Sequence, residues 1–146
     1  MLIRRPDTPD RADWGRLYAG YAAFYGVEQT EAMRDRVWHW IHDHQHEVEA
    51  FVAEDDTGRL VGLTHFRPFA RPLAASIGGF LDDLFVDPEA RGSGAARALI
   101  EAVADEGRQR GWSVIRWITA EDNARARALY DKVATGTRWK TYDIQL

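Results

Sequence analysis

The 146-residue chain contains no cysteine. That removes disulfides, thiolate nucleophiles and cysteine-based zinc sites from the chemistry open to it. Long apolar runs are missing too, since none approaches the ~18 residues that suggest a membrane span. The opening "MLIRRPDTPDRADW" carries charges but no apolar stretch of the signal-peptide kind. These absences set the expectation of a cytoplasmic protein with no membrane partner. Basic excess is absent as well. The formal net charge is -4, so there is no electrostatic footprint for nucleic acid. Mild acidity suits a cationic small substrate, as it suits many proteins that have none. No internal repeat, linker or low-complexity stretch divides the chain.

What is present is the material for a core. Hydrophobic residues make up 45% of the chain, with six Trp, six Phe and five Tyr. Such aromatic content argues against disorder. The length fits one domain of common size, residues 1–146.

Periodicity and turn chemistry outline the elements. "LIRR" (Leu2–Arg5) reads as a first strand. Asp10 is placed to cap a helix carrying Trp14, Leu17, Tyr18, Tyr21 and Phe24–Tyr25, and Thr30 to cap a second through Val37, Trp38 and Ile41. "EVEAFVAED" and "RLVGLTHFRPF" flank the hairpin loop "DDTG". "GGFLDDLFVDP" reads as a long strand stopped by Pro88. Ala95, Ala96, Leu99, Ile100 and Val103 have helical spacing up to Gly111. "WSVIRWITA" (Trp112–Ala120) reads as a strand, "NARARALYDKVA" as a short helix, and "TRWKTYDIQL" (Thr137–Leu146) as a final strand. The expected order is β-α-α-β-β-β-α-β-α-β, an α/β fold with a mixed, mostly antiparallel sheet and helices on its faces.

"RGSGAA" (Arg91–Ala96) stands between a strand and a helix. The first N–H groups of a helix have no intrahelical partner and the macrodipole is positive there, so such a turn can hold a phosphate. Gly92 and Gly94 would let the backbone curl around the oxygens, and Arg91 would add charge. A tight turn needing glycine for geometry alone is the plain alternative. The pattern is neither a P-loop nor a dinucleotide fingerprint.

Here "LDDLFVDPEARGSGAARALIEAV" resembles the acetyl-CoA pyrophosphate motif of the GNAT acyltransferase superfamily, whose pattern is Arg/Gln-x-x-Gly-x-Gly/Ala. Ala96 stands where glycine is commoner. The resemblance continues through "WITAEDNARARALYDKV" (Trp117–Val133), and in detail is similar to the diamine acetyltransferases and the yeast-type histone/polyamine branch. It implies the GNAT fold, with about six or seven strands and about four helices. It also implies acetyl-CoA as co-substrate. The sheet would splay between the strands near 80–87 and 112–120. Pantetheine would pair with the backbone of Leu84, Phe85 and Val86. The diphosphate would rest on the turn formed by Arg91, Gly92, Ser93, Gly94, Ala95, Ala96 and Arg97.

Acetyl transfer to an amine needs a route for the ammonium proton, because at neutral pH an alkylamine of pKa ~10.4 is protonated. Asp82 and Asp83 sit side by side in a β-rich run, and adjacent strand residues point to opposite faces. One would face the cleft and the other a helix layer or loop; a strand-edge ion pair is the structural alternative. The resemblance puts a glutamate, proposed as the base, at the position of Asp82, and an aspartate at that of Asp83. Asp is one methylene shorter, so a water relay stands beside direct abstraction. Tyr130 lies seven residues, about two helical turns, after Asn123. The resemblance makes this pair contact the pantetheine, with the Tyr130 phenol protonating the departing sulfur. An N-cap asparagine and a core tyrosine are the plain alternative.

"WHWIHDHQHE" holds four of the five histidines, with His39, His42 and His46 at helical spacing. That spacing fits a metal site; a solvated, histidine-rich helix end fits it too, and no metal is assigned. Trp14, Trp38, Trp40 and Tyr25 read chiefly as core, while the resemblance implies that a minority of them line an acceptor pocket, as the first two helices of the family usually do. The resulting expectation is an acetyl-CoA-dependent N-acetyltransferase acting on a polyamine, diamine or amino acid by direct attack. Acetylation of a protein lysine or N-terminus, and a non-catalytic acyl-CoA-binding module, are the alternatives. Relatives carry two strands after the last helix where this chain has room for one. An unpaired strand edge is a liability, so a homodimer through the C-terminal segment is expected.

Overall fold

Two hairpins build most of the sheet. In the computed structural model, which describes residues 1–146, β1 (Leu2–Arg4) pairs antiparallel with β2 (Glu49–Glu54), and β2 with β3 (Leu60–Arg71). β3 pairs antiparallel with β4 (Ser76–Val86), and β4 pairs in parallel with β5 (Ile115–Arg116). The β2–β3 loop closes on Asp55, whose carboxylate accepts the Thr57 and Arg59 N–H groups at 2.9 and 3.1 Å. Gly58 takes φ +86° there, a backbone conformation that favours glycine.

Helices cover both faces. α1 (Arg11–Phe24) and α2 (Glu31–His42) lie on one, α3 (Ala95–Arg110) and α4 (Ala124–Val133) on the other. Thr30 caps α2 as its sequence suggests, its hydroxyl accepting the Met33 N–H at 3.2 Å. Gly111 closes α3 with φ +74°. Asp10 precedes α1 but does not cap it. Its carboxylate is taken instead by the Arg4 guanidinium, at 2.6 and 3.0 Å, and by the Asp7 N–H at 2.7 Å.

The core follows the strand alternation. Trp14, Leu17, Val52, Leu60 and Leu63 pack between the sheet and α1, with Val37, Trp38 and Ile41 of α2 against them. On the other face Ala53, Val61, Ala95 and Leu99 form one cluster and Phe66, Leu81, Ile100 and Val103 another. Two β-bulges shift the phase. Ala53 pairs with Gly62 and Glu54 with Leu60, leaving Val61 extra; His65 pairs with Asp83 and Phe66 with Leu81, leaving Asp82 extra. No helix is long and apolar enough to cross a membrane.

The sheet has five strands, not six or seven. The expected strand Trp112–Ala120 contributes only Ile115–Arg116 to a ladder, because the chain leaves β4 after Arg116. Thr137–Leu146 forms no strand. It has the composition of one, but strand preference needs a neighbouring strand to act on. Its apolar side chains stand in solvent instead: Trp139 is 89%, Tyr142 88% and Ile144 87% exposed.

The point where β5 leaves β4 depends on a missing side chain. A Cβ on Gly79 would lie 2.5 Å from the Trp112 ring and 2.9 Å from Ile115. Gly79→Ala should therefore lower stability by ~1–3 kcal/mol through overpacking. Gly136→Ala, where a Cβ meets nothing within 4 Å, should leave the urea midpoint nearly unchanged. Equal midpoints for the two variants would exclude this tight fit.

Candidate active site

Only Gly79↔Ile115 and Phe80↔Arg116 pair β4 with β5. Beyond Phe80 the β5-side edge of β4 has no ladder partner, and a cleft of about 520 Å³ opens there. Leu84, Phe85 and Val86 form one wall, and Asn123, Ala126, Leu129 and Tyr130 of α4 face them. The glycine turn contributes Arg91, Gly92, Gly94, Ala95, Ala96 and Arg97. Every cofactor residue that the resemblance implied thus borders this cleft except Ser93. The Ser93 N–H bonds back to Ala90 at 3.2 Å within the turn, and its side chain is exposed.

The glycines are there for conformation, not for want of space. Gly92 and Gly94 have φ of +83° and +86°, and a Cβ on either would meet nothing within 4 Å. Both positions disfavour any L side chain. Gly94 is the N-cap of α3 and supplies no side-chain bond to the first turn. The N–H groups opening α3 and the positive end of its dipole therefore meet the cleft, which suits an anion. Asn123 does cap α4, its Oδ1 accepting the Ala126 N–H at 3.4 Å, and borders the cleft as well. Tyr130 lies two turns later, its ring edge-on to Trp117 at 5.4 Å. Burial pushes its phenol pKa up, and nearby Tyr25 pushes the same way, so the hydroxyl keeps its proton at neutral pH.

The bulge overturns the expected division of Asp82 and Asp83 between two faces. Asp83 Oδ2 lies 2.8 Å from His65 Nδ1, and Asp82 pairs with Arg67 Nε at 3.1 Å. His65 and Arg67 are two apart on β3 and so share a face. With Asp82 inserted as the extra residue, both carboxylates turn to the α1 side. Their environments differ. Burial pushes Asp82 above the ordinary carboxyl value; the Arg67 charge opposes this and the Asp83 charge adds to it. Burial pushes Asp83 up as well, but donors from His65, Tyr18 and Tyr21 outweigh it and bring the group below the ordinary value. Neither carboxylate is among the cleft-lining residues. They stand on β4 just before Leu84.

Tyr21, Phe24, Tyr25 and Arg125 also line the cleft. Of these, the sequence gives no cleft role to Tyr21, Phe24 or Arg125; Tyr25 belongs to the aromatics read chiefly as core with a minority lining an acceptor pocket, and at 46% exposure it is on the cleft side of that division. Spacing shows that these aromatics share a helix stripe, but not what the far end of the stripe meets. Arg125 is one residue inside α4 and reads in sequence as an ordinary solvated cation. Trp14 is fully buried, as expected of a core residue. The histidines do not share one helix face, because α2 ends at His42. His42 Nδ1 lies 2.8 Å from the Trp38 carbonyl, while His46 accepts the Val48 N–H and stacks on Trp40 at 4.7 Å.

Known proteins resemble this chain in sequence and fold. The model of the acetyltransferase (GNAT) family matches residues 14–134. An uncharacterized N-acetyltransferase, YhfO of Bacillus subtilis (strain 168), is 31% identical over 137 residues, covering 90% of this chain and 87% of that protein. The D-amino-acid N-acetyltransferase HPA3 of Saccharomyces cerevisiae is 25% identical over 138 residues, covering 94% and 86%. Among solved structures, a ribosomal-protein-alanine N-acetyltransferase from Brucella melitensis biovar Abortus 2308 superposes with a TM-score of 0.82 at 27% identity, covering 100% of both chains. The aminoglycoside N-acetyltransferase AAC(6')-Iy, in complex with CoA, shares the fold with a TM-score of 0.84 at 19% identity, covering 99% and 93%.

The Asp83 environment has a pH signature. A carboxyl held below its ordinary value stabilises the fold above the unfolded pKa of ~3.9, and that contribution is lost as pH falls through the folded value. Asp83→Asn should cost ~1–3 kcal/mol at pH 7, because the donors lose a charged acceptor and an NH2 group replaces one of its two oxygens. The difference in Tm from the parent should shrink as the pH is taken below about 4. A gap that stays constant from pH 7 to pH 3 would show that Asp83 is not held as a stabilised carboxylate.

Proposed function

Taking as premise that this chain belongs to the acetyltransferase (GNAT) family and is an N-acetyltransferase, we propose that its cleft binds acetyl-CoA and delivers the acetyl group to a small primary amine. The observation that carries this is the meeting of three features in one cleft: the free edge of β4 at Leu84–Val86, the glycine-opened start of α3, and the Asn123–Tyr130 face of α4. The α3 start and Arg91 hold the diphosphate. The unpaired groups of Leu84, Phe85 and Val86 hydrogen-bond the pantetheine amides. Amine and carboxylates meet where the cleft ends at the α1 side.

The ammonium loses two protons as a C–N bond replaces the C–S bond: the first leaves before attack, and the second, released from nitrogen once the C–N bond has formed, replaces the proton that Tyr130 gives up. Asp82 takes the first, directly or through water. Its raised pKa brings it nearer the range useful to a base at neutral pH. Asp83, already facing three donors, is the poorer base. Tyr130, neutral and beside the cleft, gives its proton to the departing thiolate. With no cysteine in the chain, no thiol is available for an acyl-enzyme, and the amine attacks the thioester itself. Likeness to the Brucella enzyme supports a second reading, in which the acceptor is the N-terminal amine of a protein.

The exposed C-terminal segment is the second element of the proposal. Tyr142, Ile144 and Leu146 alternate along it and are almost wholly in solvent, while β5 offers an edge only two residues long. A second copy of the chain covers this segment in a homodimer.

A panel of diamines, polyamines, D- and L-amino acids and an alanine-initiated peptide should yield at least one acceptor, read by CoA thiol release. With that acceptor, Asp82→Asn should lower kcat/KM by ~10²-fold, the scale of general-base loss. Tyr130→Phe should lower the single-turnover rate, and both variants should bind acetyl-CoA within a few-fold of the parent. An unchanged rate in either variant removes that residue from its role, and CoA binding without turnover on the whole panel favours a binding module. In sedimentation equilibrium the chain should weigh twice 16.6 kDa, and a chain ending at Gly136 should weigh as a monomer. A full chain sedimenting as a monomer overturns the homodimer.

A further inference from the structure

Behind the α1 wall of the cleft, four side chains from three elements form a hydrogen-bonded array that the chemistry above does not employ. His65 on β3 is buried, 1% exposed. Its Nε2 lies 3.0 Å from Trp14 Nε1. An indole N–H only donates, so Nε2 accepts and the ring proton sits on Nδ1. From there it is donated to Asp83 Oδ2 at 2.8 Å. The Tyr18 O–H donates to the same oxygen at 2.9 Å, and the Tyr21 phenol lies close to the same carboxylate.

The direction of these bonds decides what the phenols can offer. Asp83 is an acceptor surrounded by donors. The proton of Tyr18 is committed to it, so the Tyr18 oxygen presents only lone pairs to the outside. Burial, followed by the Asp83 charge, pushes both phenol pKa values up, which keeps them neutral.

From the array an aromatic stripe leads into the cleft. Tyr18 stacks on Tyr21 with centroids 6.2 Å apart, and Tyr21 meets Tyr25 at 5.0 Å and Phe85 at 6.0 Å. Tyr21, Tyr25 and Phe85 border the cleft itself. An alkylammonium matches this surface on three counts. It has N–H donors for phenol oxygens, a positive charge for aromatic faces, and the opposite sign to the carboxylate behind them.

We propose that Trp14, His65 and Asp83 are positioning residues that orient the Tyr18 and Tyr21 phenols as hydrogen-bond acceptors, so that the acceptor amine is first captured there in its protonated form. This deepens the acetyl-transfer reading and rests on it for the identity of the site. Capture precedes deprotonation: the ammonium binds to the phenol oxygens, and Asp82 then removes its proton. Asp83 contributes a fixed charge and exchanges no proton.

The test is the binding of n-butylammonium chloride to the CoA-loaded protein, followed by NMR shifts of the tyrosine ring signals. The parent should bind it saturably and should not bind 1-butanol. Tyr18→Phe should weaken binding at least tenfold. His65→Leu should weaken it comparably although both phenols remain, because Asp83 loses the donor that orients it. His65→Asn, whose amide can donate from the Nδ1 position, should recover most of the affinity. With the accepted amine, His65→Leu should raise the acceptor KM and leave the acetyl-CoA KM unchanged. Butylammonium binding within twofold of the parent in Tyr18→Phe or His65→Leu overturns the proposal. So does equal loss in His65→Asn and His65→Leu, or the absence of saturable binding in the parent. If His65→Leu does not fold, Tyr18→Phe and His65→Asn decide the matter: the first must weaken binding tenfold and the second must retain it. Failure of the acetyl-transfer reading would look different, as intact ammonium binding with no thiol release from acetyl-CoA.

Discussion

Beyond Phe80, β4 has no neighbour on one side, and the molecule is organised around that free edge. A sheet interior would satisfy those backbone groups with another strand. Here β5 pairs for two residues and departs, so the N–H and C=O groups of the following stretch stay available to something that is not a strand. The junction itself is tightly packed. The Trp112 ring fills the space above Gly79 and also approaches Gly107 of α3, at 3.1 Å from where its Cβ would be. Strand, helix and ring thus meet at one vertex, and the cleft opens away from it. α3 is packed under the vertex by Ile100 and Val103 and under β2 and β3 by Leu99. Its first turn is therefore brought to the cleft by the same contacts that hold the sheet.

The charge arrangement follows from this geometry. Three cations line the cleft, Arg91 and Arg97 at the start of α3 and Arg125 at the start of α4. The carboxylates stand outside that lining, on β4 just before Leu84, where the bulge turns Asp82 and Asp83 together. A co-substrate with an anionic tail and a reactive head, meeting a cationic second substrate, is oriented by such a gradient before any close contact forms. Arg67 moderates the acidic end by pairing with Asp82, and its guanidinium also lies over the Phe80 ring at 5.0 Å. That leaves Asp83 as the charge with no cationic side chain directly against it.

Much of this was legible in the sequence, and the remainder was illegible for identifiable reasons. The glycine turn could be read because left-handed backbone and a helix start are local properties. Asn123 and Tyr130 could be read because helical spacing is local too. The shared face of Asp82 and Asp83 could not, since a bulge belongs to a pair of strands and strand alternation alone predicts opposite faces. The array around His65 joins positions 51 residues apart, and nothing within reach of either residue announces it. The last ten residues have strand-forming side chains, and that local preference misled, because a ladder requires an edge to pair with. Aromatic character alone does not say which members of the α1 stripe stay in the core and which, like Tyr25, run past it into the cleft.

The extra residue in β4 makes the site depend on counting as well as on chemistry. Replacing Asp82 with any other side chain leaves the strand in phase: Leu81 still points into the α3 core and Asp83 still points at His65. Removing one residue there, whatever its identity, reverses the parity of one segment relative to the other. Either the carboxylate of Asp83 is driven among Phe66, Ile100 and Val103, or the hairpin slides and Leu84 and Phe85 exchange sides. Side chains at this site can therefore be varied one at a time, whereas the length of the strand is held by the whole sheet. A side chain in such a position is easily altered and hard to delete.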